Sequence, residues 1–490
     1  MGGCSQPRRS GRVSAASSTG AGRPRVVVVG GGLAGLSAAV ACADGGASVT
    51  LLEARPRLGG ATWSFERRGL SFDNGQHVHL RCCNAYRSWL ERLGTSHLAP
   101  FAGPLAIPVL RPRAGHAGSP TVAWIRRDSL PAPAHLGRSL LSYGHLGAAD
   151  RLRLLPAALG LRRARLDDPR LDSETFGDWL SRHGQHDEAI SRLWDLITLP
   201  TTNLRAAEVS LALAAKVFKT GLLTDRAAAD IAWSQVPLAE LHVEPARRLL
   251  EGLGADVRQR ARVTEVALGE ATGTEPARAS GVVVDGELLH SDAVVLAVPH
   301  DAAAGLLPTR AFSDPSSLRG LGTVPIVNVH FVFDRQVMPY QMAAAIDSPI
   351  QFAFDRTPAS GLEPSGAGQV LAISLSGADA EIGKSPQELI ESQLGAVRAL
   401  FPAASQAKVL DSVVTREHDA TFRGVPGTRR LRLGPATGIA NLALAGAWTD
   451  TGWPATMEGA VRSGQAAAEV ALAAVGKRNV SVPRREEAVA

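Results

Sequence analysis

The first clear pattern in the chain is a strand, a helix and a second strand. The run Arg25–Val29 (RVVVV) is β-branched and apolar, which indicates a strand buried on both faces of a parallel sheet. Gly30–Gly32 ends that strand, Leu33–Asp44 has helical character, and Gly45 and Gly46 end the helix. Ser48–Leu52 is a second apolar strand. The pattern therefore predicts one complete βαβ unit.

Farther along, the predicted elements are of both kinds. Helices are predicted over Ser173–Leu180, Glu188–Leu196, Ala206–Phe218 and Met457–Val475. Strands are predicted over Val257–Val266, Gly281–Val284, Asp292–Val298, Ile326–Phe333, Val370–Ser376 and Leu442–Ala445. Residues 1–23 and 476–490 have the composition of a disordered and a frayed tail.

The segment Leu152–Leu166 is apolar and basic at once, and we expect Pro156 to interrupt it. One interpretation is an interfacial segment with its arginines at the depth of lipid headgroups. The other is a surface helix packed on a protein core. Both interpretations fit the sequence.

Composition narrows the class of protein. Of 490 residues, 45% are hydrophobic and 20% are charged, which suits two or three folded domains. The net charge of +6 comes mostly from arginine, and no basic patch with interleaved aromatics occurs, so nucleic acid is not an expected partner. No apolar run is long enough to cross a bilayer.

The four cysteines are too few for a disulfide framework and indicate a reducing compartment. No CxxC pair occurs, and the adjacent Cys82 and Cys83 are poorly placed for joint ligation, so we expect no metal site. We expect a cytoplasmic protein that is peripheral at the inner face of the membrane.

The glycine motif of the βαβ unit predicts the chemistry. Gly30-x-Gly32-x-x-Gly35 lies between a strand and a helix, and Glu53 follows 18 residues later at the end of the next strand. This context favours a dinucleotide site over an ordinary glycine-rich turn. Gly30 permits a sharp turn, Gly32 lets the backbone approach a pyrophosphate, and Gly35 lets the helix pack closely. Glu53 can bond the ribose hydroxyls.

The residues after Glu53 favour FAD over NAD. The chain continues through Arg57 to Gly59-Gly60, which resembles the flavoprotein superfamily of amine oxidases, carotenoid desaturases and protoporphyrinogen oxidase. The resemblance implies that the glycine pair lies under the cofactor and that Arg57 lies near its phosphates. It implies further cofactor contacts from Leu33, Ala34, Ala54 and Val263.

A second segment near the C-terminus resembles the same superfamily. Residues 445–450 (AGAWTD) and 454–460 (PATMEGA) correspond to its second flavin-contacting segment, which implies contacts from Gly446, Asp450, Thr456 and Met457. Ala447 stands where most relatives have an acidic residue, and Asp450 could compensate. No second GxGxxG and no redox cysteine pair occur, so electrons must come from the substrate or from a separate reductant.

Several segments narrow the resemblance to the hydroxysqualene dehydroxylase family. The most specific are residues 72–78 (FDNGQHV), with Gln76 where carotenoid desaturases have proline, and the region around Gln351. The resemblance covers residues 24–472. It implies an α/β fold: a discontinuous, Rossmann-like FAD-binding domain of the glutathione-reductase type (24–102, 243–305 and 435–475). An α+β substrate domain of mostly antiparallel sheet and helices would use 103–242 and 306–434.

The implied reaction is the reductive removal of the hydroxyl of hydroxysqualene, an apolar C30 isoprenoid, to give squalene. It needs an external reductant, a proton donor and a water-poor tunnel. One alternative is a carotenoid or phytoene desaturase, and an amine oxidase is another. A third is a non-catalytic isoprenoid-binding protein that resembles the Rab escort proteins.

His77 is the candidate proton donor, because it follows the glycine turn in a segment that the superfamily places near the flavin. It could equally bond backbone or flavin carbonyls. We expect Asp73 to order its own loop and Glu458 to cap a helix. His330 could face the tunnel or solvent. The aromatic candidates for the tunnel wall, or for plain core, are Phe331, Phe422, Trp448 and Trp453.

Overall fold

The structure, a computed structural model, describes residues 22–113, 119–269, 277–362 and 368–477. Most of both predicted tails, residues 1–21 and 478–490, lies outside the described residues. The strands are β1 (Arg25–Val29), β2 (Ser48–Glu53), β3 (Ser64–Arg67), β4 (Leu70–Asp73), β5 (Val78–Leu80), β6 (Ala106–Arg111), β7 (Thr121–Arg126), β8 (Ile231–Trp233), β9 (Asp256–Gln259), β10 (Val263–Leu268), β11 (Ala279–Val284), β12 (Glu287–His290), β13 (Ala293–Leu296), β14 (Thr323–Phe333), β15 (Met342–Ala345), β16 (Phe352–Asp355), β17 (Gln369–Ser376), β18 (Val409–Phe422) and β19 (Leu442–Leu444).

The α-helices are α1 (Leu33–Asp44), α2 (Asn84–Leu93), α3 (Gly137–Leu141), α4 (Ala148–Arg163), α5 (Phe176–Arg182), α6 (Asp187–Ala189), α7 (Asp195–Thr202), α8 (Leu211–Phe218), α9 (Glu244–Gly252), α10 (His300–Leu306), α11 (Thr357–Ser360), α12 (Pro386–Leu400) and α13 (Met457–Ala474). Wider π-helical turns at Ile190–Trp194, Lys219–Leu223 and Ala239–Val243 adjoin α7, α8 and α9.

One half of the molecule is built on a five-stranded parallel sheet, whose strands come from distant parts of the chain in the order β19-β13-β1-β2-β9. The central strand β1 is buried from Val26 to Val29, as its β-branched run predicts. Helices α1 and α13 pack together beside it. A Cβ at Gly464 of α13 would lie 2.2 Å from the carbonyl oxygen of Ala34, so the close approach requires glycine there. The predicted βαβ unit is present.

A seven-stranded sheet organises the second half, in the order β18-β14-β17-β16-β15-β6-β7, antiparallel except where β15 meets β6. The two faces of the long strand β14 have different surroundings. Val327, Val329 and Phe331 pack in a core with residues of α12. Ile326 and Asn328 belong to the opposite face, which turns toward the parallel sheet. The predicted α/β class, with a second sheet that is mostly antiparallel, is confirmed.

The predicted strand Val257–Val266 is wrong as a single element. Its first part is β9, at the edge of the parallel sheet, whereas its second part is β10, in a separate three-stranded sheet with β11 and β12. Arg260 lies between them with a φ of +59°, a left-handed conformation that ends a strand. Its amide donates to the carbonyl of Arg55 at 3.1 Å, which turns the chain across the end of β2.

Two helix predictions also need correction. The helix expected from Ala206 begins only at Leu211, because the side chain of Ser210 accepts from the amide of Ala212 and caps it there. Pro156 does not interrupt α4, which continues to Arg163. This proline lies on the exposed side of the helix, where water can bond the carbonyl that loses its partner.

Helix α4 packs on a protein core and also leaves an apolar surface. Leu154, Ala157 and Leu161 are buried. Leu152 and Leu155 are 67% and 61% exposed, and Leu141 at the end of α3 is 56% exposed beside them. We call Leu141, Leu152 and Leu155 the leucine patch. The two interpretations of this segment are therefore compatible.

Candidate active site

The first glycine motif leaves no space for side chains. Gly30 has a φ of +106°, and a Cβ there would lie 2.4 Å from the carbonyl oxygen of Ala297. A Cβ at Gly35 would lie 1.8 Å from the carbonyl oxygen of Gly30. Both distances are shorter than atoms allow, so strand β1 and helix α1 meet through backbone alone.

The second glycine pair lies directly against the first. The amide of Gly59 donates to the carbonyl of Gly31 at 2.9 Å. Glu53 accepts from the amides of Gly31 and Arg55, both at 2.7 Å, which fixes its carboxylate at the end of β2. A Cβ at Gly32, by contrast, would make only ordinary contact, 3.7 Å from the Cα of Gly60. The surface in front of the α1 N-terminus is thus bare backbone, which fits a pyrophosphate.

The C-terminal segment is held by a buried arginine. Arg432 donates to the carbonyl oxygens of Trp448, Thr449 and Trp453 at 3.1, 2.6 and 2.7 Å. Burial lowers the pKa of Arg432 to about 10, so the guanidinium stays charged at neutral pH. The segment leads to Thr456, whose hydroxyl caps α13 by accepting from the amide of Gly459.

A cavity of about 430 Å³ lies between the two sheets. Gly59, Ala447, Thr456 and Met457 of the predicted cofactor segments line it, together with Ala61 and Thr62, which follow the second glycine pair. Most of the remaining wall is apolar and includes Leu105, Ile107, Ile125, Leu196, Ile197, Val217, Leu222, Ile231, Ile326, Met342, Phe352 and Phe354. A polar, glycine-rich surface and an apolar surface therefore face one shared volume.

Some predicted residues lie elsewhere. Asp450 is exposed, faces Arg429 at 3.9 Å and does not line this cavity. Its contact with the cofactor stays a prediction. Of the aromatic candidates, Trp453 lines the cavity. Phe331 belongs to the core on the other face of β14, and Phe422 and Trp448 are also core residues.

His77 lines the cavity, but its environment favours the neutral imidazole. Burial lowers the pKa of His77, and Asp73 opposes this only in part. Two neighbouring histidines behave alike: burial lowers the pKa of His79 to about 4 and that of His242 to about 3. His242 hydrogen-bonds the hydroxyl of Tyr86. A neutral imidazole is a weak proton donor to a departing hydroxyl.

Asp73 does more than order its own loop. Its carboxylate accepts from Ser64 and from the amide of Leu238, and it forms a buried ion pair with Arg356 at 2.7 Å. Arg356 follows β16, so this pair joins the two halves of the molecule. His330 faces neither tunnel nor solvent: it lies with Asp73 and Arg356 around a small cavity of about 10 Å³.

Glu458 caps a helix, but the capped helix is α2 and not α13, to which Glu458 itself belongs. Its carboxylate accepts from the amides of Ala85 and Tyr86 at 3.2 and 2.7 Å, in the first turn of α2. Arg462 donates to it at 2.6 Å. The contact ties α13 to α2 and uses both carboxylate oxygens.

Sequence reasoning missed a polar network on the cavity wall. Glu417 of β18 accepts from the indole of Trp63 at 3.0 Å and from the side-chain amide of Asn74 at 2.8 Å. The guanidinium of Arg57 lies 3.8 Å from the centre of the Trp63 ring. Asn328, also on the wall, donates to the carbonyl of Asn74. Glu417 follows its partners by more than 340 residues, so no local pattern could have joined them.

Comparison with known proteins identifies the family. A family model described as flavin containing amine oxidoreductase matches residues 33–472.

The chain belongs to that family.

It is 29% identical over 462 residues to hydroxysqualene dehydroxylase of Sinorhizobium fredii, across 91% of this chain and 98% of that protein. It is 26% identical over 493 residues to a probable zeta-carotene desaturase of Synechococcus elongatus, across 92% and 99%. Cyclohexylamine oxidase of Brevibacterium oxydans shares the fold, with a TM-score of 0.68 and 21% identity over 92% of this chain and 99% of that one.

Family membership confirms the predicted resemblance, the FAD-binding fold class and the cofactor. The protein is an FAD-dependent oxidoreductase. Among the described residues, no group of three His, Cys, Asp or Glu side chains is suited to a metal ion, and no helix is long and apolar enough to span a membrane.

Proposed function

We propose that this enzyme removes the hydroxyl of hydroxysqualene reductively and releases squalene. The observation that carries the proposal is the cavity, in which glycine-rich cofactor segments face a wall built mostly of aliphatic and aromatic side chains. A long hydrocarbon with a single polar group suits such a wall. The 29% identity to a hydroxysqualene dehydroxylase along nearly the whole chain supports the same substrate class.

The bare backbone and the capped helix would hold the cofactor. The pyrophosphate would lie against Gly30, Gly32, Leu33, Ala34 and Gly35, and the adenosine against Glu53, Ala54 and Val263. Arg57 would lie near the phosphates, and the flavin end would lie against Gly59, Gly60, Gly446, Thr456 and Met457. Asp450 follows Gly446 in the same segment and belongs to this proposed set, although it does not line the cavity.

The reaction adds a proton and a hydride to the alcohol and releases an alkene-bearing hydrocarbon and water. Bound FAD, reduced by an external donor, would supply the hydride. The chain's own part is to exclude water and to orient the hydrocarbon. The apolar side chains around Ile107, Ile125 and Phe352 would do both, because water competes poorly for such a wall.

We propose further that the enzyme lies peripherally on the inner face of the cytoplasmic membrane. The exposed leucine patch is flanked by the exposed Arg138, Arg153, Arg162 and Arg163, a combination that suits an anionic bilayer surface. Lys219 donates to the carbonyl of Ala164 just after α4, and the adjoining Thr220, Gly221 and Leu222 line the cavity. The C-terminal end of α4, the helix that presents Leu152 and Leu155, therefore contacts the segment that lines the cavity.

Liposome sedimentation tests this contact. The double variant Leu152→Asp/Leu155→Asp should lower binding to anionic vesicles at least about tenfold, because two apolar anchors become charges. Leu288→Asp, at an exposed leucine in β12, is the matched control and should bind as wild type. Equal binding by the patch variant and the wild type would exclude the patch.

Carotenoid desaturation is the second candidate, since the chain aligns with a zeta-carotene desaturase over the same length. The two functions differ in the flavin state that they use. Holoenzyme reduced without oxygen should convert hydroxysqualene to squalene, whereas oxidised holoenzyme should leave phytoene unchanged. Polyene formed from phytoene, with no squalene, would make the enzyme a desaturase. The intact glycine motif disfavours a non-catalytic isoprenoid carrier, which would form neither product.

A further inference from the structure

Two carboxylates are among the described residues that line the main cavity, Glu417 and Glu458. Both carboxylate oxygens of Glu458 already accept hydrogen bonds, from the first turn of α2 and from Arg462. In Glu417, both hydrogen bonds from Trp63 and Asn74 reach the same oxygen, Oε1. These bonds fix the carboxylate and leave Oε2 for the cavity.

The sheet places Glu417 on the cavity-facing side, beside both apolar and polar side chains. It pairs with Ile326 of β14, whose next neighbour across the sheet is Ser376 of β17. Ile326, Asn328 and Phe352 occupy the same cavity-facing side. A charge beside such a surface interacts more strongly than one in water, because little solvent screens it.

Two cations belong to the surroundings of Glu417. Arg57 stacks on the face of the Trp63 ring, whose edge donates to Glu417. Burial lowers the pKa of Arg57, and the carboxylate of Glu417 opposes this in part. Lys216 lies beside Trp453, 4.7 Å from the ring centre, in the part of the wall built by α8. The histidines that line the cavity, His77 and His79, favour the neutral form for the reason given above.

We propose that Glu417 is a catalytic residue that stabilises positive charge on the substrate. This rests on the proposed function. When the carbon–oxygen bond breaks, both electrons leave with the oxygen, which takes up a proton and departs as water. The carbon that remains is an allylic cation until it accepts a hydride, whose electrons come from the external reductant. Glu417 gains and loses no bond; it stays a carboxylate facing the cation.

A cationic lipid tests this without turnover. N,N-dimethyldodecylamine is protonated at neutral pH, and 2-methyltetradecane is its uncharged isostere. Binding of each to oxidised holoenzyme is followed by tryptophan fluorescence, because Trp453 lines the cavity. Wild type should prefer the amine at least about tenfold. Glu417→Gln, which keeps Oε1 as an acceptor for Trp63 and Asn74, should lose that preference and bind the alkane as before.

Two further variants sharpen the result. Glu417→Asp keeps the charge and should keep most of the preference, whereas Glu391→Gln, at an exposed position of α12, should change nothing. Equal preference in wild type and Glu417→Gln would overturn the proposal, as would a wild type with no preference. If Glu417→Gln fails to fold, the wild-type preference and its retention in Glu417→Asp decide.

The amine-binding assay and the squalene assay together distinguish failure of this inference from failure of the proposed function. Amine preference that depends on Glu417, in an enzyme that makes no squalene, would remove the dehydroxylase proposal and leave Glu417 serving another cationic reaction. Squalene formation without any amine preference would remove the role of Glu417 alone.

Discussion

The two sides of the cavity differ in which atoms form their surface, backbone atoms on one side and side chains on the other. On the cofactor side, the described contacts are made by backbone: glycines at 30, 32, 35, 59 and 60 bring strand, helix and loop together with no side chain between them. On the substrate side, alternate residues of an antiparallel sheet present side chains such as Ile326, Asn328 and Glu417. The comparison teaches that an added atom on the cofactor side should disrupt packing or cofactor binding. A changed side chain on the substrate side should instead alter which substrate is bound.

The largest effect should come from adding one methyl group on the cofactor side. Gly35→Ala would place a Cβ 1.8 Å from the carbonyl oxygen of Gly30, so the βαβ turn must deform. We expect the variant to be purified without FAD and with the free energy of unfolding lowered by at least about 3 kcal/mol. Flavin absorbance per protein and urea unfolding measure the two effects.

Gly32→Ala is the matched variant, because its Cβ would meet only the Cα of Gly60 at 3.7 Å. We expect near-normal stability of the apoprotein and FAD binding weakened at least about tenfold, since the added methyl obstructs only the pyrophosphate. If the two variants lost stability equally, the glycines would serve packing alone.

The next prediction concerns the buried ion pair that joins the two halves of the molecule. Arg356→Met would leave the buried carboxylate of Asp73 without its cation, which should lower the free energy of unfolding by about 3–5 kcal/mol. Arg335→Met removes an exposed partner of Asp334 and should cost at most about 0.5 kcal/mol. Urea unfolding of both compares them, and similar losses would mean that the Asp73 pair does not join the halves.

The smallest effect is on pH dependence. The folded pKa values of His79 and His242, about 4 and about 3, lie below the usual value of a histidine in an unfolded chain. Their contribution to stability is therefore complete above about pH 6.5 and declines as the pH falls toward the folded values. From pH 7 to pH 5 each should cost about 2 kcal/mol. Between pH 7 and pH 5, His79→Phe should lose about 2 kcal/mol less stability than the wild type, and an unchanged decline would exclude His79.

The same contrast explains what the sequence could predict. The bounds Arg25–Val29 and Leu33–Asp44 follow from a β-branched run, glycines and a short helix, all of them local, and the structure has the same bounds. The cofactor side could be predicted because its signal lies in consecutive residues.

Contacts between residues that are far apart in sequence could not be predicted on either side of the cavity. Glu417 meets Trp63 and Asn74 through sheet pairing, and Glu458 caps a helix whose first turn lies more than 370 residues earlier. The split of Val257–Val266 depends on one left-handed residue, Arg260, which is not a residue type that marks a break. Domain boundaries and cofactor-contact roles stay predictions.

The central claim is that a reduced flavin in this cavity delivers hydride to hydroxysqualene. The most direct measurement is one anaerobic turnover in deuterated water, with holoenzyme reduced beforehand by dithionite and mixed with hydroxysqualene. The account predicts that flavin absorbance returns as squalene forms in equal amount, and that each squalene contains one deuterium from the exchangeable position of the reduced flavin. Flavin that stays reduced, with hydroxysqualene recovered intact, would contradict it.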